Sequence, residues 1–287
     1  NSPQLLQLSG IGPGKLLQSH NINIVHVSHH VGKNLQDHLG SDIYYRANVP
    51  TLNQELNPMF GKLRAGLKYI LTRKGPLSLS LNQGGGFIQI DPNASGPDLQ
   101  LYFSPVSYTR APAGVRPLMN PDPFPGFLMG FNPCKPTSVG NIQISSTDPM
   151  LPPKIYSNYL NTEYDKKMMI EGIRLIRRLA NAPALNSIIK DELAPGVGIK
   201  SETDIAKYIR QKAWSVFHPC STCRMGSNPN VSVVDPKLRV YGVDNLRVVD
   251  ASIFPTIPTG NINAPSIMVG EYASDIILKD ARNQKGL

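Results

Sequence analysis

The chain has 287 residues, and its 29 lysines and arginines against 20 aspartates and glutamates give a formal net charge of +9 at pH 7. With 40% hydrophobic and 17% charged residues, the composition is typical of a folded globular protein rather than a disordered chain. The basic residues form no block with interleaved aromatic side chains, which argues against a nucleic-acid-binding protein, and no stretch of about 18 apolar residues predicts a membrane span.

The first forty residues predict short elements joined by turns. Residues 3–9 and 13–19 predict helices, because leucines supply their apolar positions and Pro3 suits a first helical turn. Residues 23–27 predict a strand, and residues 31–38 predict a turn-rich segment.

From residue 39 the hydrophobic pattern changes. Five segments are alternating or fully apolar, and turn residues separate them, which predicts a sheet of mostly antiparallel strands. These segments are residues 42–46, 86–90, 98–103, 126–131 and 141–145. Aromatic residues on this sheet are candidates for an apolar substrate pocket, namely Tyr102, Phe103, Tyr108 and Phe131.

Helical periodicity recurs along the rest of the chain. Residues 63–71, 163–179 and 201–212 predict amphipathic helices, and Ser201 with the aspartate three residues later resembles a capping box. Near the end, two short strands are predicted at 238–241 and 246–249, followed by a closing helix at 265–279.

Two segments of the last hundred residues carry the candidate chemistry. The first is Phe217-His218-Pro219-Cys220-Ser221-Thr222-Cys223-Arg224-Met225-Gly226, which places one histidine in a proline-flanked turn. The second runs from Asn245 through Asp250 to Pro265, with an acid that ends a strand and two asparagines before a helix. From the residues alone, these side chains are also compatible with a buried histidine, a turn cap and turn asparagines.

The order and spacing of these segments resemble the C-terminal part of the glucose-methanol-choline (GMC) flavin oxidoreductases, which oxidise alcohols with FAD. Residues 1–13 resemble the second signature of that family. The resemblance implies an α/β fold, the C-terminal portion of a GMC fold, with part of an FAD-binding Rossmann-like domain and an α+β substrate domain whose mostly antiparallel sheet is backed by helices. Residues 1–38 and 228–287 would complete the FAD-binding domain, and residues 39–227 would form the substrate-binding domain.

The family begins with a strand, a G-x-G-x-x-G turn and a helix whose N-terminus holds the FAD pyrophosphate. No such unit occurs in this sequence. Residues 10–14 contain the glycines, but Pro13 lacks an amide donor, and the glycines at 84–86 stand in no strand-turn-helix context. We therefore expect an N-terminal half of the enzyme, carrying the G-x-G-x-x-G unit, as the partner of this chain, either cleaved from it or encoded separately.

The resemblance also implies roles for individual residues. His218 would be the base that takes the hydroxyl proton while a hydride moves from the carbinol carbon to flavin N5. Asn261 stands where the family carries histidine or asparagine, and its amide could donate to the substrate oxygen but could not take a proton at neutral pH. The implied cofactor contacts are Phe217, Asp250, Ala251, Ile262 and Asn263.

Cys220-x-x-Cys223 departs from the family, which has an apolar residue and a glycine after the His-Pro pair. Taken alone, two cysteines at this spacing are a redox motif or half of a metal site. A zinc site would need a second pair of ligands, and the sequence supplies only Cys134 and scattered histidines. We therefore predict no metal.

The leading hypothesis is the C-terminal piece or subunit of an FAD-dependent alcohol dehydrogenase or oxidase, choline-dehydrogenase-like, that acts on the CH-OH group of a small primary or aromatic alcohol. One alternative is a hydroxynitrile-lyase-type enzyme, which uses the same fold without net oxidation. The other is a catalytically silent fragment that has lost FAD.

Overall fold

The computed structural model describes residues 1–108 and 120–285, and the chain divides into two compact units. The first unit consists of Asn1–His38, Cys134–Asp165 and Ser215–Leu287, and the second of Leu39–Pro133 and Lys166–Trp214. The predicted boundaries differ from this division, because residues 134–165 and 215–227 belong to the unit that contains both termini. Backbone pairing explains the difference, since the strand Gly140–Gln143 pairs with Lys33–Leu35. The cofactor and substrate roles of the two parts remain predictions.

The first unit contains short strands and helices around one apolar core. Ile11–Gly12 and His26–Val27 form a parallel pair, and Lys33–Leu35, Gly140–Gln143 and Lys154–Tyr156 form an antiparallel three-stranded sheet in that order. The helices are Ser2–Leu8, Gly14–Ser19 and Asn263–Lys285, with a 3-10 turn at Ala251–Ile253. The core includes Leu6, Val31, Cys220, Cys223, Val233, Val234, Ile253 and Val269.

The second unit contains an antiparallel sheet. Its strands follow the order Ile189–Ala194, Leu39–Ala47, Gly126–Pro133, Leu99–Ser104 and Gly84–Ile88. Every residue of the central strand Gly126–Pro133 is buried. The helical segments are Leu52–Leu56, Met59–Thr72, Pro76–Ser78, Glu163–Ala180, Pro183–Asn186 and Glu202–Lys212, of which Glu163–Ala180 begins in the first unit. A two-residue strand, Trp214–Ser215, stands where the chain passes back to the first unit.

Most predicted elements are confirmed, with shifts of a few residues at their ends. Ser201 caps the helix Glu202–Lys212 by accepting a hydrogen bond from the Asp204 amide, as its sequence motif predicts. The segment at 141–145 forms a strand, but in the sheet of the first unit. The predicted strands at 238–241 and 246–249 are wrong, because these residues form isolated bridges only. Leu238, inside the first of these segments, has left-handed backbone with φ +66°, which interrupts the extended conformation of a strand.

The helix Glu163–Ala180 approaches the central strand closely at one glycine. A methyl group added to Gly172 would lie 2.1 Å from Cε2 of Phe131, whose ring is fully buried. We therefore expect Gly172→Ala to lower the free energy of unfolding by about 1–3 kcal/mol, although alanine is the better helix former. Denaturant unfolding of the purified protein measures this change.

Gly66, in the helix Met59–Thr72, is the matched control. Apart from its chain neighbours and the backbone of its own helix, no described residue has an atom within 4 Å of the position where its methyl group would be added. Gly66→Ala should therefore stabilise the protein by up to about 1 kcal/mol. Equal effects of the two substitutions would contradict the close contact between Gly172 and Phe131.

Within the described residues, no helix combines the length and apolar character needed to cross a membrane.

Candidate active site

His218 lies in a turn whose backbone is held in an uncommon conformation. Its side chain is buried, whereas the preceding Phe217 is 81% exposed. Phe217 has φ +62°, in the left-handed region that residues other than glycine rarely adopt. The Phe217 amide donates to Oγ of Ser215 at 2.9 Å. The turn places a large exposed ring beside a buried imidazole. Strained backbone of this kind is often found at functional sites.

Asp37 holds this turn in place from a distant part of the sequence. Its buried carboxylate accepts a hydrogen bond from the His218 amide at 2.8 Å and two more from the hydroxyls of Ser215 and Tyr159. Three donors satisfy a carboxylate that would otherwise be costly to bury. Asp37 therefore fixes the backbone that carries His218.

The imidazole of His218 meets a second imidazole, that of His38. Their Nδ1 atoms are 2.9 Å apart, and the two rings are nearly perpendicular at 83°. On its other side, Nε2 of His38 lies 2.9 Å from the carbonyl oxygen of Cys134. A row of polar atoms therefore runs from a backbone carbonyl through one histidine to the other.

Burial makes both histidines weaker bases than free histidine. It lowers the pKa of His38 to about 4, and the hydrogen bond to Cys134 and the charge of Asp37 oppose this shift only in part. Burial also lowers the pKa of His218 below its usual range, and the negative charge of Asp37 acts in the opposite direction. Both rings are therefore neutral near pH 7, and a neutral His218 can accept a proton.

The two cysteines after His218 are structural. Burial raises the pKa of Cys220 to about 11 and that of Cys223 to about 12, so both thiols are protonated at neutral pH. Cys220 exchanges backbone hydrogen bonds with Gln36, with N···O distances of 3.0 and 3.2 Å. Among the described residues, no group of three or more histidines, cysteines or acids could hold a metal ion. The pair anchors the His218 turn in the core of the first unit.

The structure brings the two motif segments together. The amides of Ser221, Cys223 and Met225 donate to the carbonyls of Ala251, Ser252 and Ile253 at 3.3, 2.8 and 2.7 Å. The first of these bonds joins the segment that follows His218 to the predicted cofactor contact Ala251, which comes directly after Asp250. Residues 28 to 30 positions apart thus form one local structure.

Asp250 begins the 3-10 turn Ala251–Ile253. Its carboxylate accepts from the Ser252 amide at 2.7 Å and from the Ser2 hydroxyl, which fastens the first helix to this turn. Asp250 is therefore a turn cap, and its predicted contact with the cofactor stays a prediction.

The remaining predicted residues lie at the start of the last helix. Asn261 and Asn263 are exposed, Ile262 is 8% exposed, and Asn263 is the first residue of the helix Asn263–Lys285. A helix this long presents its positive dipole end at the asparagines. The predicted roles of these three residues toward cofactor and substrate stay predictions.

The second unit holds a cavity of about 390 Å³ with an aromatic lining. Tyr108, a predicted pocket residue, lines it, whereas Phe131 lies in the core against Gly172. The acids Asp42 and Asp122 also line this cavity, although they were not among the predicted pocket residues. The lining is Asp42, Tyr44, Tyr108, Asp122, Phe124, Leu193, Ala194, Tyr208, Lys212 and Trp214.

Residues 136–270 match the family model described as GMC oxidoreductase. An alcohol dehydrogenase [acceptor] of Pseudomonas putida is 40% identical over 287 residues, which cover 97% of this chain and 50% of that protein. Residues 136–270 form a domain of the GMC oxidoreductase family. The resemblance predicted from its motifs is thereby confirmed.

Other GMC-type relatives agree. An oxygen-dependent choline dehydrogenase of Vibrio vulnificus is 38% identical over 281 residues, covering 96% of this chain and 49% of that protein. The crystal structure of formate oxidase is similar with a TM-score of 0.88 at 27% identity, over 98% of this chain and 53% of that one. Pyridoxine 4-oxidase has a TM-score of 0.77 at 27% identity, over 96% and 48%. The chain spans about half the length of the curated relatives it matches.

Two residues of this GMC site were missed by sequence reasoning. Asp37 and His38 lie in the segment 31–38, which the sequence predicts only as turn-rich. Their contacts with His218 join residues 181 and 180 positions apart. The available signal was an adjacent acid and histidine directly before an apolar strand, where polar side chains are costly to bury without partners.

Proposed function

We propose that this chain is the C-terminal half of an FAD-dependent alcohol oxidoreductase that acts on the CH-OH group of a small primary or aromatic alcohol. The observation that carries the proposal is the buried, neutral imidazole of His218, held by Asp37 and His38 in a chain with a GMC oxidoreductase domain. Family membership supports the reaction class, and the geometry of the site supports His218 as the base.

The residues present fit FAD in their chemistry. The helix starting at Asn263 presents a positive dipole end, which suits the negative charge of reduced flavin. The exposed ring of Phe217 offers an apolar face to a planar ring system, and the segment that follows His218 is hydrogen-bonded to Ala251 and the two residues after it. We infer that Phe217, Asp250, Ala251, Ile262 and Asn263 contact the cofactor.

Bound FAD would accept the hydride that leaves the carbinol carbon. His218 takes the proton of the substrate hydroxyl, because its imidazole is neutral near pH 7 and lies within a site that excludes most water. Asn261 donates an amide hydrogen bond to the substrate oxygen and holds the alcohol in place. The proton and the hydride then leave the same alcohol, which becomes a carbonyl compound.

The proposal includes an N-terminal half that carries the G-x-G-x-x-G unit. Relatives about twice as long as this chain support such a partner. The basic net charge of +9 would suit an acidic surface on that half.

Anaerobic mixing of the FAD-containing protein with alcohols tests the proposed function. We expect primary or aromatic alcohols to bleach the flavin absorbance, with choline as a comparison substrate. A protein that keeps an oxidised flavin but splits cyanohydrins would be a hydroxynitrile lyase. A protein that does neither, across a broad panel of alcohols, would contradict the proposed oxidoreductase.

A further inference from the structure

The contacts of His38 determine where its own proton lies. Nε2 of His38 is 2.9 Å from the carbonyl oxygen of Cys134. A carbonyl oxygen can only accept a hydrogen bond, so this nitrogen carries a proton. Because the His38 ring is fully buried and its pKa is lowered to about 4, the ring is neutral near pH 7 and has a single N–H.

The proton on His38 in turn determines the proton on His218. With Nε2 protonated, Nδ1 of neutral His38 holds a lone pair and can only accept. The two Nδ1 atoms are 2.9 Å apart, which is a hydrogen-bond distance, so Nδ1 of His218 must be the donor. Nε2 of His218 is then left without a proton.

We propose that His38 is a positioning residue that fixes His218 in its Nδ1–H tautomer, through a relay that begins at the Cys134 carbonyl. The lone pair at Nε2 of His218 is thereby made available to take a proton. The use of that lone pair on a substrate hydroxyl rests on the proposed function, whereas the tautomer rests on the contacts alone.

Hydrogen bonds from main-chain amides hold the backbone of His38 and His218 in position. The Val216 amide donates to the His38 carbonyl at 2.9 Å, and the His218 amide donates to Asp37 at 2.8 Å. The Asp37 carboxylate is also occupied by the hydroxyls of Ser215 and Tyr159. Asp37 therefore positions the backbone of His218, while His38 determines which ring nitrogen of His218 carries the proton.

Nitrogen-15 NMR of the FAD-containing enzyme labelled at histidine tests the tautomer directly. Two-bond couplings from the carbon-bound ring protons to the ring nitrogens distinguish a protonated nitrogen from one with a lone pair. We expect His218, assigned by the loss of its signals in His218→Ala, to show a protonated Nδ1 and an unprotonated Nε2. A proton on Nε2 of His218 in the unsubstituted enzyme would overturn the proposal.

Three variants test whether His38 sets this tautomer. His38→Leu removes the acceptor, so the His218 signals should shift toward a mixture with the Nε2–H form. Flavin reduction should slow by about tenfold, which corresponds to the free energy of one ordinary hydrogen bond. His38→Asn places an amide oxygen that can accept from Nδ1, so it should retain the tautomer and most of the rate. The exposed His29 is the matched control, and His29→Leu should change neither.

An unchanged His218 tautomer in His38→Leu would overturn the role of His38. If that variant does not fold, the spectra of the unsubstituted enzyme and of His38→Asn still decide the tautomer. The proposed function is tested by a separate result. If His218 shows the expected tautomer but no alcohol reduces the flavin, the role of His38 stands and the proposed oxidoreductase activity is refuted.

Discussion

His218→Ala is expected to slow flavin reduction by alcohol by about 10²–10⁴-fold, the usual contribution of a general base, while FAD stays bound. Alanine cannot take the hydroxyl proton. His38 is a poor replacement for the lost base, because its ring is fully buried and burial lowers its pKa to about 4. Stopped-flow absorbance of the flavin measures the rate, and the absorbance spectrum of the purified variant measures bound FAD.

The acid side of the pH profile tests the same assignment. A base acts in its neutral form, so activity is present above its pKa and is lost as the pH falls through that pKa. Because burial lowers the pKa of His218 below its usual value of 6.5, the loss should occur below pH 6.5. His29→Ala should keep both the rate and the profile, and near-normal flavin reduction in His218→Ala would remove His218 from its proposed role.

Asn261→Ala should slow flavin reduction by about 5- to 150-fold, less than the loss of His218. The amide can position the alcohol oxygen but cannot take its proton, and losing one such hydrogen bond costs about 1–3 kcal/mol. Asn261→His should keep part of the activity, since histidine can also donate at this position. Single-turnover rates of flavin reduction measure both variants.

Asn263 provides the comparison for Asn261, because both are exposed asparagines at the start of the same helix. We expect Asn263→Ala to weaken FAD binding and to leave the chemical step intact in the flavin that remains bound. The opposite pattern is a slowed chemical step in Asn263→Ala together with a normal chemical step in Asn261→Ala. That result would show that the roles of the two asparagines are exchanged.

The sequence predicted those elements whose hydrophobic period extends over enough residues. The helix Glu163–Ala180 and the strand Leu39–Ala47 both carry such a pattern. The bridges near Arg239 and Arg247 are too short to carry one, and left-handed residues between them set the geometry. The hydrophobic pattern of Gly140–Gln143 also could not show that this strand joins a different sheet, because its partner Lys33–Leu35 lies far away in the sequence.

The candidate site likewise contains residues that could be predicted from the sequence and residues that could not. His218 could be found from sequence because its proline-flanked turn is a local motif. His38 and Asp37 could not, because their roles exist only through contacts with residues about 180 positions away. Burial of an adjacent acid and histidine becomes understandable only when Tyr159, Ser215 and the Cys134 carbonyl are in place as their partners.

The division of the chain has a consequence for chimeric enzymes. His38, Cys134 and Ser215 each stand where the chain passes from one compact unit to the other. A chimera that exchanges residues 39–133 and 166–214 as two separate inserts would keep every member of the relay in the recipient. A single insert of residues 39–214 would instead import a foreign Cys134 carbonyl and a foreign Tyr159, so the hydrogen bonds that hold His38 and Asp37 would change with the insert.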